Sequence, residues 1–149
     1  MTRFPNCLSK KFGKLWNRNK KRNQLSDSEI VDRFLVHGNH INTRLRKVSY
    51  LAFLPGPDNE TSVFRTGGLH IEQIWQLAME QVIAKRQNCT LRGKGTLRVD
   101  QVRIMSLDVR SDESSHELHA VIMKWPIEKD KRKMLAIDLA SIAVLTTYP

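Results

Sequence analysis

Apolar residues recur with helical spacing in three parts of the chain. The spacing predicts a short helix over 27–36 and two long helices over 70–86 and 127–146. Ser26 and Glu29 stand three residues apart at the start of the first segment, which is the pattern of a helix capping box. In the two long segments the apolar positions keep the helical period, as expected of helices that pack one face on a core.

Strand-like patterns occupy most of the chain between these helices. β-branched and apolar residues predict strands over 48–54, 61–65, 91–99, 101–109 and 118–125. The alternation in the fourth of these changes phase, which indicates a bulge. The last three are predicted to be consecutive antiparallel neighbours, because a parallel crossover takes about a dozen residues or more. The predicted fold class is α+β, an antiparallel sheet covered by two long helices and one short helix.

Positive charge is concentrated at the N-terminus. The 149 residues include 25 Lys and Arg against 15 Asp and Glu, a formal net charge of +10. Residues 1–22 contain eight of the basic residues and no acid, whereas the other 127 residues carry 17 bases and 15 acids. We therefore predict a basic N-terminal arm over 1–25, conditionally helical, and one compact domain over 26–149.

The arm also has an apolar side. Leu8, Phe12, Leu15 and Trp16 would share one face of a helix, with basic residues around the rest. Gly13 weakens the helix propensity, so we expect this helix to form only when something covers the apolar face. A tryptophan among lysines and arginines suits stacking on nucleic-acid bases or contact with a membrane interface.

Composition excludes several classes of protein. The apolar runs fall far short of the ~20 residues that a membrane-spanning helix needs, and the N-terminal residues lack the apolar segment of a secretory signal. Two cysteines, Cys7 and Cys89, are too few for a disulfide-rich scaffold or a cysteine-rich zinc module. We expect a cytoplasmic protein without a metal or another cofactor.

Three residues form a candidate catalytic group. His119 lies in a predicted strand among apolar neighbours, where a shielded imidazole suits proton transfer. Arg65 ends a strand just before a Thr-Gly-Gly turn into a helix, a place that favours a bound phosphate. Asp138 interrupts the apolar run of the last helix and could orient His119 or pair with Arg65. Each also has a structural interpretation, as a core histidine, a turn residue and an ion-paired carboxylate.

Two segments resemble a known family. The sequence SVFRTGGL over 62–69 and the sequence HAVIMKWP over 119–126 are similar to motifs of a family of small uncharacterised bacterial proteins. The resemblance covers about residues 26–145 and leaves the arm outside. It implies a bacterial, cytosolic setting and brings no assigned reaction.

These observations predict a non-catalytic binding protein whose basic arm engages nucleic acid, RNA or DNA, through phosphate contacts. The predicted contact residues are Lys10, Lys11, Lys14, Trp16, Arg18, Lys20, Lys21, Arg22, Arg44, Arg46 and Lys47. One alternative is a small metal-independent ribonuclease that uses His119 with Arg65 and Asp138. A second alternative is an amphipathic arm that docks on an anionic membrane or on a partner protein.

Overall fold

The computed structural model describes residues 23–149, which are organised by one antiparallel sheet. Its strands are β1 (Ile30–Leu35), β4 (Thr61–Arg65), β5 (Gly93–Arg98), β6 (Asp108–Ser111), β7 (His119–Met123) and β8 (Val144–Thr147). Their order across the sheet is β6-β7-β4-β1-β5-β8, and each neighbouring pair is antiparallel. A separate hairpin consists of β2 (Ile41–Asn42) and β3 (Lys47–Val48).

Helices cover both faces of the sheet. The α-helices in the described residues are α1 (Ile71–Gln81), α2 (Val99–Ile104) and α3 (Lys129–Ile142), and short 3-10 turns lie at Gly38–His40, Tyr50–Ala52 and Ile83–Lys85. Successive side chains of a strand point to opposite faces, so most strands contribute to two cores. The larger core joins the sheet to α3, and the smaller one joins it to α1. None of the helices within residues 23–149 has the length and apolar composition needed to cross a membrane.

The two central strands β1 and β4 separate along their length. They pair at Val31 with Arg65 and at Asp32 with Phe64, and β4 continues instead against β7 as far as Thr61. In the gap between the two strands, the guanidinium of Arg33 donates hydrogen bonds to two main-chain carbonyl oxygens. Its Nε donates to the carbonyl oxygen of Ala52 at 2.7 Å, and its Nη1 donates to that of Ser62 at 3.0 Å. This separation opens the cavity described below.

The α+β class and the antiparallel sheet are confirmed, but the helices are shorter than predicted. The segment 70–86, predicted as one helix, consists of α1 and a 3-10 turn. The helix predicted over 127–146 ends at Ile142, and β8 begins two residues after that. The prediction of a short helix over 27–36 is wrong, because this segment forms a turn and then β1. Both faces of β1 are buried, so its apolar residues follow no simple alternation and resemble a helical stripe.

The predicted strand order is correct in one place and wrong in another. β6 and β7 are antiparallel neighbours, as predicted for 101–109 and 118–125. β5 lies between β1 and β8 instead of beside β6. The supposed bulge in 101–109 is the change from α2 to β6, with Ser106 at a φ of 63° between them. The predicted strand 48–54 contains only the end of β3 and then a 3-10 turn.

The predicted arm lies mostly outside the described residues. Its last three residues join the domain: Asn23 exchanges backbone and side-chain hydrogen bonds with Ser111, Gln24 forms a β-bridge to Arg110, and Leu25 is buried in the larger core. The chain therefore enters the domain along the free edge of β6.

Candidate functional site

A cavity of about 660 Å³ opens where β1 and β4 separate. The loop over 54–60 forms part of its wall, and the chain between β6 and β7 forms another part. Its polar lining includes Arg33 and Ser62 from the sheet, His119 at the start of β7, Asp112 just after β6, and Arg86 just after the last 3-10 turn. Residues from distant parts of the sequence therefore meet at one concave surface.

Ser62 and His119 form a hydrogen-bonded pair in this cavity. The serine Oγ lies 2.6 Å from His119 Nε2. The register of the sheet brings them together, because Phe64 is directly opposite His119 and Ser62 is the next residue of β4 on the same face. The contact is thus a diagonal pair across two strands that are fixed by backbone hydrogen bonds.

The hydrogen bond of the other ring nitrogen, Nδ1, determines which nitrogen of His119 carries the proton. Nδ1 lies 3.0 Å from the carbonyl oxygen of Asp112, which can only accept a hydrogen bond. A neutral ring must then carry its proton on Nδ1, and Nε2 is left as the acceptor for the Ser62 hydroxyl. The carboxylate Oδ2 of Asp112 lies 3.7 Å from the same Nδ1 and would stabilise a protonated ring.

The local chain holds Asp112 and His119 in this geometry. The Asp112 backbone N–H donates to the carbonyl oxygen of His119 at 2.9 Å, which closes the hairpin between β6 and β7. Ser114 Oγ donates to Asp112 Oδ1 at 2.8 Å. The ring of Phe64 meets the imidazole edge to face, with 5.3 Å between the ring centres. Only 13% of the His119 side chain is exposed, so bulk water has limited access to the imidazole.

Two arginines line the same cavity. Arg33 is held by the two carbonyl bonds in the gap between β1 and β4, and Arg86 reaches the cavity from the end of its 3-10 turn. Burial and, to a smaller extent, the positive charge of Arg86 together lower the pKa of Arg33 to about 10. Within residues 23–149 neither guanidinium takes part in an ion pair.

A second charged cluster on the sheet is internally satisfied. Lys94 Nζ lies 3.1 Å from both carboxylate oxygens of Asp32, and the hydroxyls of Thr66 and Thr96 donate to the same carboxylate. Asp32 and Lys94 are buried. Paired and hydrogen-bonded charges of this kind have a structural role, and they differ in this respect from the two cavity arginines.

The structure places the three predicted catalytic residues apart. His119 lines the cavity, but Arg65 belongs to the opposite face of β4 by strand alternation and forms an ion pair with Glu29. Asp138 is exposed on α3, which packs on the face of the sheet away from Ser62 and His119. The group of His119, Arg65 and Asp138 therefore does not meet in one cleft.

The predicted nucleic-acid contacts fall into two sets. Arg44, Arg46 and Lys47 are exposed around the β2–β3 hairpin, and they do not line the cavity. Arg46 has a φ of 53°, which turns the chain between the two short strands. The predicted contacts of the arm lie outside the described residues: Lys10, Lys11, Lys14, Trp16, Arg18, Lys20, Lys21 and Arg22.

Sequence reasoning missed four residues of the cavity: Ser62, Asp112, Arg33 and Arg86. One signal was available for Asp112, since it precedes His119 by seven residues across a predicted hairpin, where a tight connection brings both ends together. Ser62 lies 57 residues from His119, and no local motif links the two. Only the pairing of β4 with β7 reveals this contact.

Among residues 23–149, no group of three or more His, Cys, Asp and Glu side chains is placed to hold a metal ion. Comparison with known proteins finds no matching family model, no matching curated protein and no matching solved structure. The resemblance of segments 62–69 and 119–126 to a bacterial family stays a prediction.

Proposed function

We propose that the cavity is the active site of an esterase-type hydrolase in which Ser62 is the nucleophile and His119 its general base. The observation that carries the proposal is the 2.6 Å contact from Ser62 Oγ to His119 Nε2, together with the carbonyl acceptor that keeps the ring proton on Nδ1. A nucleophile bonded to a base, with the base oriented by a third group, is the arrangement of serine hydrolases.

The proposed reaction has two steps. Ser62 Oγ attacks the electrophilic atom of an ester, and its proton passes to His119 Nε2. The ester bond breaks, and the leaving alkoxide takes that proton from Nε2. A water molecule then gives a proton to Nε2 and attacks the Ser62 ester, which releases the acid and restores the serine hydroxyl.

Asp112 is a positioning residue in this scheme. Its carbonyl oxygen holds Nδ1–H, and its carboxylate lies close enough to stabilise the imidazolium that forms in both steps. The proposal keeps the enzymatic interpretation of His119 and assigns its orientation to Asp112 instead of Asp138.

A neutral serine-directed reagent tests the nucleophile. We expect phenylmethanesulfonyl fluoride to sulfonylate the full-length protein at Ser62, as read by peptide mass mapping. Ser62→Ala should abolish the modification, and His119→Gln should slow it about 100-fold or more, because removing a general base costs about 10²- to 10⁴-fold. Ser141→Ala is the matched control, since this exposed serine on α3 donates only to the Asp138 carbonyl.

Two results of the labelling experiment would contradict the roles of Ser62 and His119. Modification at another serine, or an equal rate in His119→Gln and in the parent protein, would overturn the proposal. Circular dichroism of each variant separates loss of the nucleophile from loss of the fold.

We also propose that the basic arm binds nucleic acid in the bacterial cytoplasm. The support is the set of eight cations without an acid in residues 1–22, with the exposed Arg44, Arg46 and Lys47 as further phosphate contacts. Binding through phosphates is independent of base sequence. A fluorescence anisotropy titration with a short duplex at low salt tests it, and flotation on anionic vesicles or capture of a partner protein without duplex binding would favour the second alternative for the arm.

A further inference from the structure

Within residues 23–149, the guanidiniums of the two cavity arginines form no ion pair. Arg33 uses Nε and Nη1 for the carbonyl oxygens of Ala52 and Ser62, and within residues 23–149 its Nη2 has no hydrogen-bond partner. Arg86 has no side-chain partner there either. Both side chains line the cavity, so their remaining N–H groups are available on its inner surface.

Among residues 23–149, the acidic side chains of the cavity lie outside ion-pair distance of the two guanidiniums. Asp58, Glu60 and Asp112 also contribute to the lining. Asp58 accepts the backbone N–H of Glu60 at 3.2 Å, and Asp112 lies against His119 and Ser114. A nearby carboxylate would raise the pKa of Arg33, whereas burial and Arg86 are the influences that act on it, and both lower it. The two guanidiniums therefore repel each other.

The guanidinium of Arg33 lies next to the proposed nucleophile, Ser62. It donates to the main-chain carbonyl of Ser62 itself, so the positive charge lies beside the residue that would attack the ester. A carboxylic ester is neutral, so it would form no ionic interaction with this guanidinium. A phosphodiester brings one negative charge and two non-bridging oxygens, which match the fork of donors on a guanidinium.

We propose that the substrate of this site is a phosphodiester, held by Arg33 and Arg86 with its phosphorus facing Ser62. The proposal rests on the function of Ser62 and His119 given above and names the class of ester. Because charge in phosphoryl transfer lies on the non-bridging oxygens, the guanidinium of Arg33, which its carbonyl bonds hold in place, and that of Arg86 stabilise the transition state as well as the bound substrate.

The chemistry balances with water as the only co-reactant. Ser62 Oγ forms a bond to phosphorus, the bond from phosphorus to one ester oxygen breaks, and the proton of Ser62 leaves with that alcohol by way of His119 Nε2. Water then attacks the phosphoserine diester with His119 as base. The products are an alcohol and a phosphate monoester, and Ser62 recovers its proton.

Hydrolysis of two nitrophenyl esters by the full-length protein tests the substrate class. We expect release of nitrophenol from bis(p-nitrophenyl) phosphate, and we expect Ser62→Ala to abolish it. Arg86→Gln should lower kcat/KM for the diester by about 10- to 100-fold, since a hydrogen bond to a charged group contributes about 1.5–3 kcal/mol. The same change should alter the rate of sulfonylation by the neutral reagent, and any hydrolysis of p-nitrophenyl butyrate, by a smaller factor than it alters the diester reaction.

Lys85→Gln is the matched control, because it removes one positive charge at the neighbouring exposed position, whose side chain bonds only to Gln81. Arg86 is exposed enough to be replaced without loss of a core contact. Equal effects of the two substitutions on the diester would overturn the proposal. Sulfonylation of Ser62 without diester hydrolysis would overturn the substrate class and leave the nucleophile in place. Failure of both reactions would overturn both proposals.

Discussion

The histidine at position 40 shows how burial determines the chemistry of one residue. His40 ends the 3-10 turn Gly38–His40 and is buried, and its Nδ1 accepts the backbone N–H of Val36 at 3.2 Å. Burial lowers the pKa of His40 most, and together with the positive charge of Arg33 and of other nearby basic groups it brings the pKa from 6.5 to about 4. Burial is therefore the main reason that the ring is neutral in the folded protein, and the arginine that lines the cavity adds to it.

This lowered pKa predicts a pH dependence of stability. Between about pH 6.5 and pH 4 the unfolded chain binds a proton at His40 that the folded chain does not, so the free energy of unfolding should fall as the pH falls through this window and level off below it. Urea unfolding at several pH values measures the slope. His40→Gln should show a much smaller slope, whereas His37→Gln, which removes only one of the lesser influences on the pKa of His40, should keep most of the slope of the parent protein. Identical slopes in all three would contradict the assignment.

At the level of elements, local pattern predicted some strands and failed where both faces of a segment are buried. The segment 61–65 was predicted as a strand, and β4 has these limits. β1 was predicted as a helix because buried residues occupy both of its faces, and its pairing with β4 and β5 is a tertiary property. β8 was hidden in the predicted last helix, because Val144 and Leu145 continue the apolar pattern of α3.

The edge of the sheet at β8 depends on one glycine. Gly93 of β5 is opposite Thr147 of β8, and a Cβ added to Gly93 would lie 2.5 Å from the carbonyl oxygen of Thr146. Gly93→Ala should therefore push β8 away and lower the free energy of unfolding by about 1–3 kcal/mol, as overpacking does. The measurement is the midpoint of urea unfolding.

Gly67→Ala is the control for this prediction. A Cβ at Gly67 would be 3.6 Å from Ile30 Cβ, an ordinary contact, and this residue is exposed before α1. The two alanine variants share any change in the entropy of the unfolded chain. Equal stability of the two variants would show that the close approach of β8 does not constrain position 93.

For the whole molecule, the charge pattern and the cavity could be predicted to different extents. The division of charge between residues 1–22 and the rest follows from counting. His119 was found because a polar residue in an apolar strand stands out, but its partners Ser62, Arg33 and Arg86 come from three separate elements. Their meeting depends on the strand order β7-β4-β1, which local periodicity does not encode.

The charge pattern gives a prediction for the complete chain. If about six arm cations contact duplex phosphates, log K for nucleic acid should fall against log salt with a slope of about −5. Replacing the eight arm bases with glutamine should bring the slope close to zero, because it removes the counterion release. Changing Arg44, Arg46 and Lys47 to glutamine instead should leave most of the slope in place, because the arm makes most of the phosphate contacts.

Substitution of Trp16 distinguishes base stacking by the arm from its phosphate contacts. Stacking contributes about 1–3 kcal/mol per base and needs an unpaired base, so Trp16→Ala should weaken single-strand binding more than duplex binding while the salt slope stays the same. Anisotropy titrations of both nucleic acids over a range of salt give all of these values. A steep slope that survives the loss of the eight arm bases would place the nucleic-acid surface on the domain, and the exposed β2–β3 hairpin would then be the surface to change next.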